Sequence, residues 1–180
     1  MKILITGGNG FIGQNLAVRL YEKKGCEVSK FIRGHSDAEL EFLIQRTDAI
    51  IHLAGENRPT NLEDYYNINA GLTKKICSIV QKFNKRVPII FTSSIQAEVD
   101  NLYGQSKLSA EQYLYELSKK NGNAIGVYRL PGVFGKWCKE NYNSVVATFC
   151  YNIANDLPIK VDNPDYLLRL VYIDDVIDSF

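Results

Sequence analysis

The chain has 180 residues, of which 46% are hydrophobic and 23% are charged, and this composition excludes an intrinsically disordered protein. Its 21 basic and 20 acidic side chains leave a net charge of +1, so the overall charge gives no attraction to nucleic acid or to an anionic membrane. No apolar run approaches the ~20 residues of a membrane-spanning helix, and the glycine-rich start leaves no signal-peptide core. The sequence predicts a cytoplasmic protein with a local binding site and no nucleic-acid or membrane partner.

Short apolar runs alternate with amphipathic stretches along the whole chain. The runs typical of buried strands cover residues 3–6, 28–32, 49–53, 89–93 and 124–130. Between them, helical stripes of apolar residues begin at Ile12 and at Ile68, and further helices are predicted over 103–120 and 144–155. This order predicts an α/β fold with a doubly wound parallel sheet, a Rossmann fold, whose ligands bind beyond the carboxyl ends of the strands.

The cysteines and histidines show no metal-binding or disulfide spacing. The sequence contains no CxxC pair, and its two histidines are far apart. His52 lies inside an apolar run and is predicted to be a packed, hydrogen-bonded core residue rather than a base. The four cysteines are predicted to be free thiols, and no metal site is expected: Cys26, Cys77, Cys138 and Cys150.

A glycine loop directly follows the first predicted strand, where residues 6–13 read TGGNGFIG. Gly7, Gly10 and Gly13 give a GxxGxxG spacing, a variant of the dinucleotide fingerprint. Gly7 suits a tight turn, Gly10 the close approach of a pyrophosphate and Gly13 close helix packing, while free amides at the helix start form an anion site. The position of the loop between strand and helix predicts dinucleotide binding, although a tight strand-to-helix turn alone also explains the glycines.

The end of the second predicted strand bears on which dinucleotide binds. An acid about 20 residues past the glycines usually holds a ribose 2′-hydroxyl, but residues 30–34 read KFIRG and contain none. Arg33 can instead pair with a 2′-phosphate. The sequence therefore favours NADPH and leaves NAD possible. The alternative is a solvated arginine without any adenosine contact.

A serine, a tyrosine and a lysine follow the fourth predicted strand. Ser94 ends that strand, and Tyr103 and Lys107 are spaced YxxxK at the start of the next helix. Lys107 then shares a helical face with Tyr103, and its charge is expected to lower the phenol pKa from about 10 towards neutrality. Tyr103 can exchange a proton with a carbonyl or alcohol oxygen that Ser94 orients. The alternative is a helix-capping tyrosine beside a solvated lysine.

These motifs together resemble the extended short-chain dehydrogenase/reductase family, which contains nucleotide-sugar epimerases, dehydratases and reductases. Residues 6–13 match its TGxxGxxG loop, residues 53–55 its third-strand motif, and Asn69 the asparagine at its helix start. Ser94, Tyr103 and Lys107 match its catalytic trio. The resemblance implies cofactor contacts at Gly7, Gly10, Phe11, Ile12, Gly13, Arg33, Leu53, Ala54, Gly55, Asn69, Tyr103, Lys107, Leu130 and Val133.

The second half of the chain continues the resemblance. Residues 129–135, RLPGVFG, are similar to the family's RxxxV[FY]G turn, and Arg169 followed by VYIDDV resembles the segment whose arginine holds a substrate diphosphate. The family habitually forms dimers, which implies a homo-oligomer. The resemblance implies substrate contacts at Asn57, Arg58, Ser94, Gln96, Lys136, Asn143 and Arg169.

A closer resemblance is to the reductase domain of the capsular polysaccharide enzymes of the UDP-N-acetyl-L-fucosamine pathway, through LAGENRP at 53–59, SSIQA at 93–97 and GKWC at 135–138. It implies NADPH-dependent reduction at C4 of a UDP-4-keto-6-deoxy-N-acetylhexosamine. A nucleotide-sugar 4-epimerase with tightly bound NAD and a catalytically inactive nucleotide-binding subunit remain alternatives. A dehydratase is disfavoured, because Ile95 and Gln96 stand where a carboxylic acid is needed.

The domain organisation is predicted as a dinucleotide-binding core over residues 1–135 and the start of a substrate-binding part over 136–180. The last nine residues, YIDDVIDSF, are typical of the opening turns of a helix without a cap or polar tail. We therefore expect a fragment that is truncated within the substrate-binding part. The enzymes that it resembles also carry a C-terminal cupin domain, which this sequence lacks.

Overall fold

The computed structural model describes all 180 residues, which form two compact units, Met1–Arg129 and Leu130–Phe180. The division falls a few residues before the predicted boundary at residue 135. The predicted assignment of the two parts to cofactor and substrate stays a prediction.

The first unit is built on a parallel sheet in the order β2-β1-β3-β4-β5. The strands are β1 Lys2–Thr6, β2 Glu27–Phe31, β3 Ala49–His52, β4 Ile89–Ser94 and β5 Ile125–Leu130, the last of which ends one residue beyond the unit. β2 and β3 lie on opposite sides of β1, so the order of the sheet reverses between β1 and β3. Such a switch point is where ligands bind in doubly wound folds. The predicted fold is confirmed, and each predicted strand is observed to within one residue at each end.

Helices cover this sheet and bury its apolar residues. They are α1 Phe11–Tyr21, α2 Asp37–Arg46, α3 Leu72–Lys82 and α4 Leu102–Asn121, with a π-helical segment Tyr65–Gly71 before α3 and a 3₁₀ turn Ile95–Glu98 before α4. The central strands β1, β3 and β4 are mostly buried and carry largely apolar runs rather than alternation, whereas the edge strands β2 and β5 are mostly half-buried. The fully buried centre of the core includes Leu4, Leu40, Ile44, Ile50, Ile76, Val80, Ile89, Phe91 and Leu114.

Two helix ends carry local signals in the sequence. The helix predicted over 103–120 is confirmed as α4, and Gly122 caps it in the left-handed conformation at φ 76°. Sequence analysis did not predict α2, which has only two buried residues, Leu40 and Ile44. Its signal was a capping box, in which Glu39 N–H donates to Ser36 Oγ (3.3 Å) and Ser36 N–H donates to the Glu39 carboxylate (2.6 Å).

The second unit contains two short parallel strands, β6 Gly132–Phe134 and β7 Leu170–Tyr172, and two helices, α5 Val145–Ala154 and α6 Ile173–Ser179. The helix predicted over 144–155 is α5, and Ser144 caps it by accepting from Ala147 N–H at 3.3 Å. Helical structure near the end of the chain is confirmed as α6.

Two further observations concern the whole chain. All four cysteines are free thiols. None of the helices combines the length and the apolar character that a bilayer span requires.

Candidate active site

The glycine loop after β1 has the backbone geometry of a phosphate cradle. Gly7 has φ 69°, and a Cβ on it would lie 2.7 Å from the amide nitrogen of Ala54. A Cβ on Gly13 would overlap the carbonyl oxygen of Gly7, so α1 packs directly against the loop. Gly10 begins α1 without a side-chain cap, which leaves the first-turn amides at Phe11 and Ile12 for an anion. These residues fit the pyrophosphate of a dinucleotide.

The loop after β3 forms the second wall of this region. Leu53 N–H donates to the Thr6 carbonyl (3.2 Å), and Ala54 N–H donates to the Thr6 hydroxyl (3.2 Å). Both residues are half-buried, whereas Gly55 is exposed. A Cβ on Gly55 would lie 3.0 Å from the Lys107 ammonium. The structure therefore brings the predicted LAG motif next to the predicted catalytic lysine.

His52 lies beneath this loop and is fully buried. Its Nδ1 and Nε2 lie 2.6 Å from Thr6 Oγ1 and 2.9 Å from Thr73 Oγ1. The Thr73 hydroxyl already donates to the Asn69 carbonyl at 2.7 Å, so it accepts from Nε2–H, and Nδ1 accepts from Thr6. Burial, with the nearby Lys107 charge, lowers the pKa of His52 to about 3. The prediction of a packed, hydrogen-bonded core histidine is confirmed.

Asn69 lies in the π-helical segment and is fully buried. Its Oδ1 accepts from Glu56 N–H (2.8 Å), and its Nδ2 donates to the Glu56 carbonyl (3.0 Å) and to Ser106 Oγ (2.9 Å). The Ser106 hydroxyl in turn donates to the Tyr103 carbonyl at 2.7 Å. Asn69 therefore joins the loop after β3 to the first turns of α4. Its predicted contact with a cofactor stays a prediction.

Tyr103 and Lys107 lie one turn apart on α4, and the structure brings them together. The Lys107 ammonium is 6.0 Å from the centre of the Tyr103 ring and 5.0 Å from that of Phe91. It donates to the Thr92 carbonyl at 3.0 Å, and the side chain is buried. Burial lowers the pKa of Lys107 to about 8, although the charge of Glu111 opposes this. Lys107 is thus a cation that can lose its proton near neutral pH.

Ser94 ends β4 at the same edge of the sheet and is 9% exposed. Its hydroxyl oxygen accepts from Gln96 N–H at 3.1 Å. The Gln96 side chain accepts from Asn101 Nδ2 (3.0 Å), and Asn101 caps α4 by accepting from Gly104 N–H (2.8 Å). Hydrogen bonds thus link Ser94 and Gln96, both predicted site residues, to the helix start that carries Tyr103.

Behind Lys107 lies a buried acid that sequence analysis did not predict. Glu111 is 1% exposed, and its carboxylate accepts from Ser93 Oγ (2.5 Å) and from two Arg129 nitrogens (2.9 and 2.7 Å). Arg129 also pairs with Glu98 at 2.7 Å. Burial alone would raise the pKa of Glu111, but the hydrogen bonds from Arg129 and Ser93 outweigh it and hold the pKa below its usual value. Glu111 is therefore an anion one turn after Lys107.

Arg33, Asn57 and Arg58 lie on the loops after β2 and β3. The Arg33 guanidinium pairs with the Glu56 carboxylate at 3.0 Å, and Arg58 N–H donates to the same carboxylate at 3.3 Å. The Asn57 carbonyl accepts from the Tyr65 hydroxyl at 3.0 Å, and the Tyr65 ring lies 5.8 Å from the Tyr103 ring. The structure thus connects Asn57 to the neighbourhood of Tyr103. Sequence analysis missed Glu56 as a partner of Arg33.

The remaining predicted site residues belong to the second unit. Leu130 and Val133 are half-buried, whereas Asn143 and Arg169 are exposed. Lys136 pairs with Asp174 at 3.1 Å. The contacts predicted for these five residues with a cofactor or substrate stay predictions.

Comparison with known proteins supports the motif-based prediction, since residues 3–180 match the profile described as the NAD dependent epimerase/dehydratase family. The chain belongs to this family. Its predicted resemblance to the extended short-chain dehydrogenases/reductases is thereby confirmed. The UDP-2-acetamido-2,6-beta-L-arabino-hexul-4-ose reductase of Pseudomonas aeruginosa is 49% identical over 180 residues, which are 100% of this chain and 48% of that protein.

Two solved structures superpose on the chain. The capsular polysaccharide assembling protein CapF of Staphylococcus aureus has a TM-score of 0.88 at 42% identity, over 99% of this chain and 48% of that one. The UDP-glucuronic acid 4-epimerase of Bacillus cereus, crystallised with NAD, has a TM-score of 0.86 over 98% of this chain and 72% of that one. At 20% identity, the epimerase shows a shared fold only. The chain spans about half the length of the reductase and of CapF.

Proposed function

We propose that the chain is the reductase part of an enzyme that uses NADPH to reduce the C4 ketone of a UDP-4-keto-6-deoxy-N-acetylhexosamine, in the synthesis of capsular or O-antigen precursors. One observation carries the proposal. Tyr103 and buried Lys107 meet at the carboxyl edge of the sheet beside Gly55, in a chain that aligns over its whole length with a protein named as a keto-sugar reductase.

When bound, the nicotinamide supplies the hydride that attacks the ketone carbon. Tyr103 then donates its hydroxyl proton to the ketone oxygen, and Ser94 hydrogen-bonds the same oxygen and holds it in place. The Lys107 ammonium, 6.0 Å from the Tyr103 ring centre, stabilises the phenolate that this transfer leaves. Glu111 favours the charged form of Lys107, so the buried network keeps the cation that the step needs.

The NADPH preference rests on Arg33 at the end of β2, because a guanidinium suits a 2′-phosphate better than a 2′-hydroxyl. The substrate side rests on the resemblance. The residues proposed to contact the UDP-sugar are Asn57, Arg58, Ser94, Gln96, Lys136, Asn143 and Arg169. A cytoplasmic location and a homo-oligomeric state complete the proposal, and both rest on the family resemblance.

The test is loss of NADPH absorbance when a UDP-4-keto-6-deoxy-N-acetylhexosamine is added to the full-length enzyme that contains this chain. Tyr103→Phe should lower kcat by roughly 100-fold or more, because it removes the proton donor and keeps the ring. Tyr115→Phe is the matched control, since Tyr115 is an exposed tyrosine further along α4, and it should leave kcat unchanged. Equal rates for Tyr103→Phe and the parent enzyme would exclude Tyr103 as the donor.

A second substrate, with a hydroxyl at C4 in place of the ketone, separates the reductase proposal from the epimerase alternative. A reductase consumes one NADPH for each ketone reduced, whereas an epimerase returns the hydride and leaves the total of reduced cofactor unchanged. Conversion of a UDP-6-deoxy-N-acetylhexosamine that carries a C4 hydroxyl into its C4 epimer, without consumption of NADPH, would therefore replace the reductase proposal with the epimerase alternative.

A further inference from the structure

An ion pair joins the loops that follow β2 and β3. The Arg33 guanidinium and the Glu56 carboxylate lie 3.0 Å apart. These two strands flank β1 in the sheet, and the carboxyl end of β1 carries the glycine loop. The pair therefore connects loops on either side of the predicted dinucleotide site.

The two partners are held very differently. The Glu56 side chain is 14% exposed, and its Oε1 accepts from the amides of Asn57 (3.1 Å) and Arg58 (3.3 Å). The backbone N–H and carbonyl of Glu56 are both hydrogen-bonded to the Asn69 side-chain amide. The Arg33 side chain is 88% exposed. The carboxylate is therefore the fixed partner, and the guanidinium is the one that can turn towards another anion.

The chemistry of this position gives the pair a role. The end of β2 is where doubly wound folds recognise the adenosine ribose, with an acid for the 2′-hydroxyl of NADH or an arginine for the 2′-phosphate of NADPH. In this chain both groups are present. The arginine follows β2, and the acid comes from the loop after β3. A 2′-phosphate that binds Arg33 competes with Glu56 for the guanidinium and lies close to a carboxylate of the same charge sign.

We propose that Glu56 is a specificity-determining residue for the cofactor, whose fixed carboxylate accepts the 2′-hydroxyl of NADH and competes with the 2′-phosphate of NADPH for Arg33. This inference rests on the proposed function, since it needs a dinucleotide at the glycine loop. Glu56 weakens the binding of NADPH relative to NADH, and Arg33 strengthens it. The preference of the chain for NADPH over NADH is therefore weaker than Arg33 alone would make it.

The experiment is calorimetric titration of NADPH and NADH into the 180-residue chain and its variants. Glu56→Gln keeps the side-chain shape and an oxygen for the two amides but removes the negative charge. It should increase the ratio Kd(NADH)/Kd(NADPH) by roughly threefold to tenfold, which is the scale of a partly exposed ion pair. Glu41→Gln is the matched control, because it removes a carboxylate that pairs with Lys82 at 2.8 Å between α2 and α3, and the ratio should not change.

Two further variants complete the design. Arg33→Met should shift the ratio towards NADH. Glu56→Asp withdraws the carboxylate by one methylene and should shift the ratio towards NADPH by a smaller factor than Glu56→Gln does. Glu56→Asp also serves as the test if Glu56→Gln does not fold. Thermal unfolding checks each variant.

The outcomes separate the two claims. If the parent chain binds both nucleotides and the Glu56 variants leave the ratio unchanged or shift it towards NADH, the role of Glu56 is overturned while the proposed function stands. If the parent chain binds neither nucleotide, the cofactor part of the proposed function fails, and the inference fails with it.

Discussion

The Lys107–Glu111 region and the Arg33–Glu56 region each place a basic and an acidic side chain at the same edge of the sheet, but they differ in burial. Lys107 and Glu111 are 4% and 1% exposed, and both form hydrogen bonds to protein atoms. Arg33 is 88% exposed, so water screens its charge. Charges of the first kind can shift pKa values and stability, whereas those of the second kind chiefly select a ligand.

The largest effect is expected from His52, which lies in the buried polar layer beside Lys107. Its pKa is about 3 in the folded chain and about 6.5 when unfolded. Between these values the unfolded chain binds a proton that the folded chain does not, so the free energy of unfolding falls as the pH is lowered. We expect a loss of about 3 kcal/mol between pH 7 and pH 4, measured by urea unfolding. His52→Gln should lack most of this pH dependence, whereas His35→Gln should retain it.

The next largest effect on the free energy of unfolding compares the two carboxylates that pair with Arg129, those of Glu111 and Glu98. Glu111→Gln removes the buried charge that Arg129 and Ser93 share, and should lower the free energy of unfolding by about 2–3 kcal/mol. Glu98→Gln removes a partner that is 72% exposed, and should cost less than about 1 kcal/mol. Urea unfolding at pH 7 measures both. Equal costs would show that burial does not separate the two ion pairs.

Lys107 should also make the free energy of unfolding depend on pH, but at alkaline pH, and the change should be of about the same or smaller size. Its pKa is about 8 in the folded chain and near 10.4 in an unfolded one, so between these values the unfolded chain again binds more protons. The burial cost of the charge is then relieved as the pH rises. Compared with Lys107→Met, the parent chain should gain roughly 2 kcal/mol of unfolding free energy between pH 7 and pH 10. Lys119 is exposed, so the parent chain should gain no unfolding free energy over this pH range when it is compared with Lys119→Met.

The smallest effect belongs to the exposed region. Arg33→Met breaks the pair with Glu56 and should change the free energy of unfolding by less than about 1 kcal/mol, even though it shifts the cofactor preference. A loss as large as that of Glu111→Gln would mean that the Arg33–Glu56 pair is structural and would erase the contrast between the two regions.

Most of the fold could be predicted because its signals are local. The central strands β1, β3 and β4 are largely apolar runs, and the glycine at position 122 marks the end of α4 directly. Helix α2 escaped prediction because it buries only Leu40 and Ile44 and so has a weak apolar stripe, although its capping box was present in the sequence. The apolar stripe that begins at Ile68 predicted a helix here, but neither its start at Tyr65 nor its π-helical form, which tertiary hydrogen bonds through Asn69 accompany.

The site divides in the same way. The glycine loop and the Tyr103–Lys107 spacing lie within short contiguous motifs, so the sequence could indicate them. Glu111 and Glu56 could not be found by spacing, because their partners Ser93 and Arg33 are 18 and 23 residues away. Those contacts depend on which strands are neighbours in the sheet, and hydrophobic periodicity does not determine strand order.

The position of Asn69 depends on the number of residues in the π-helical segment Tyr65–Gly71. A π turn accommodates one residue more than an α turn, so deleting a single residue here would allow a regular helix to continue into α3. The same deletion would rotate Asn69 by about 100° around the helix axis and separate it from Glu56 and Ser106. Insertions and deletions in this segment are therefore expected to detach the loop after β3 from the first turns of α4, which Asn69 joins.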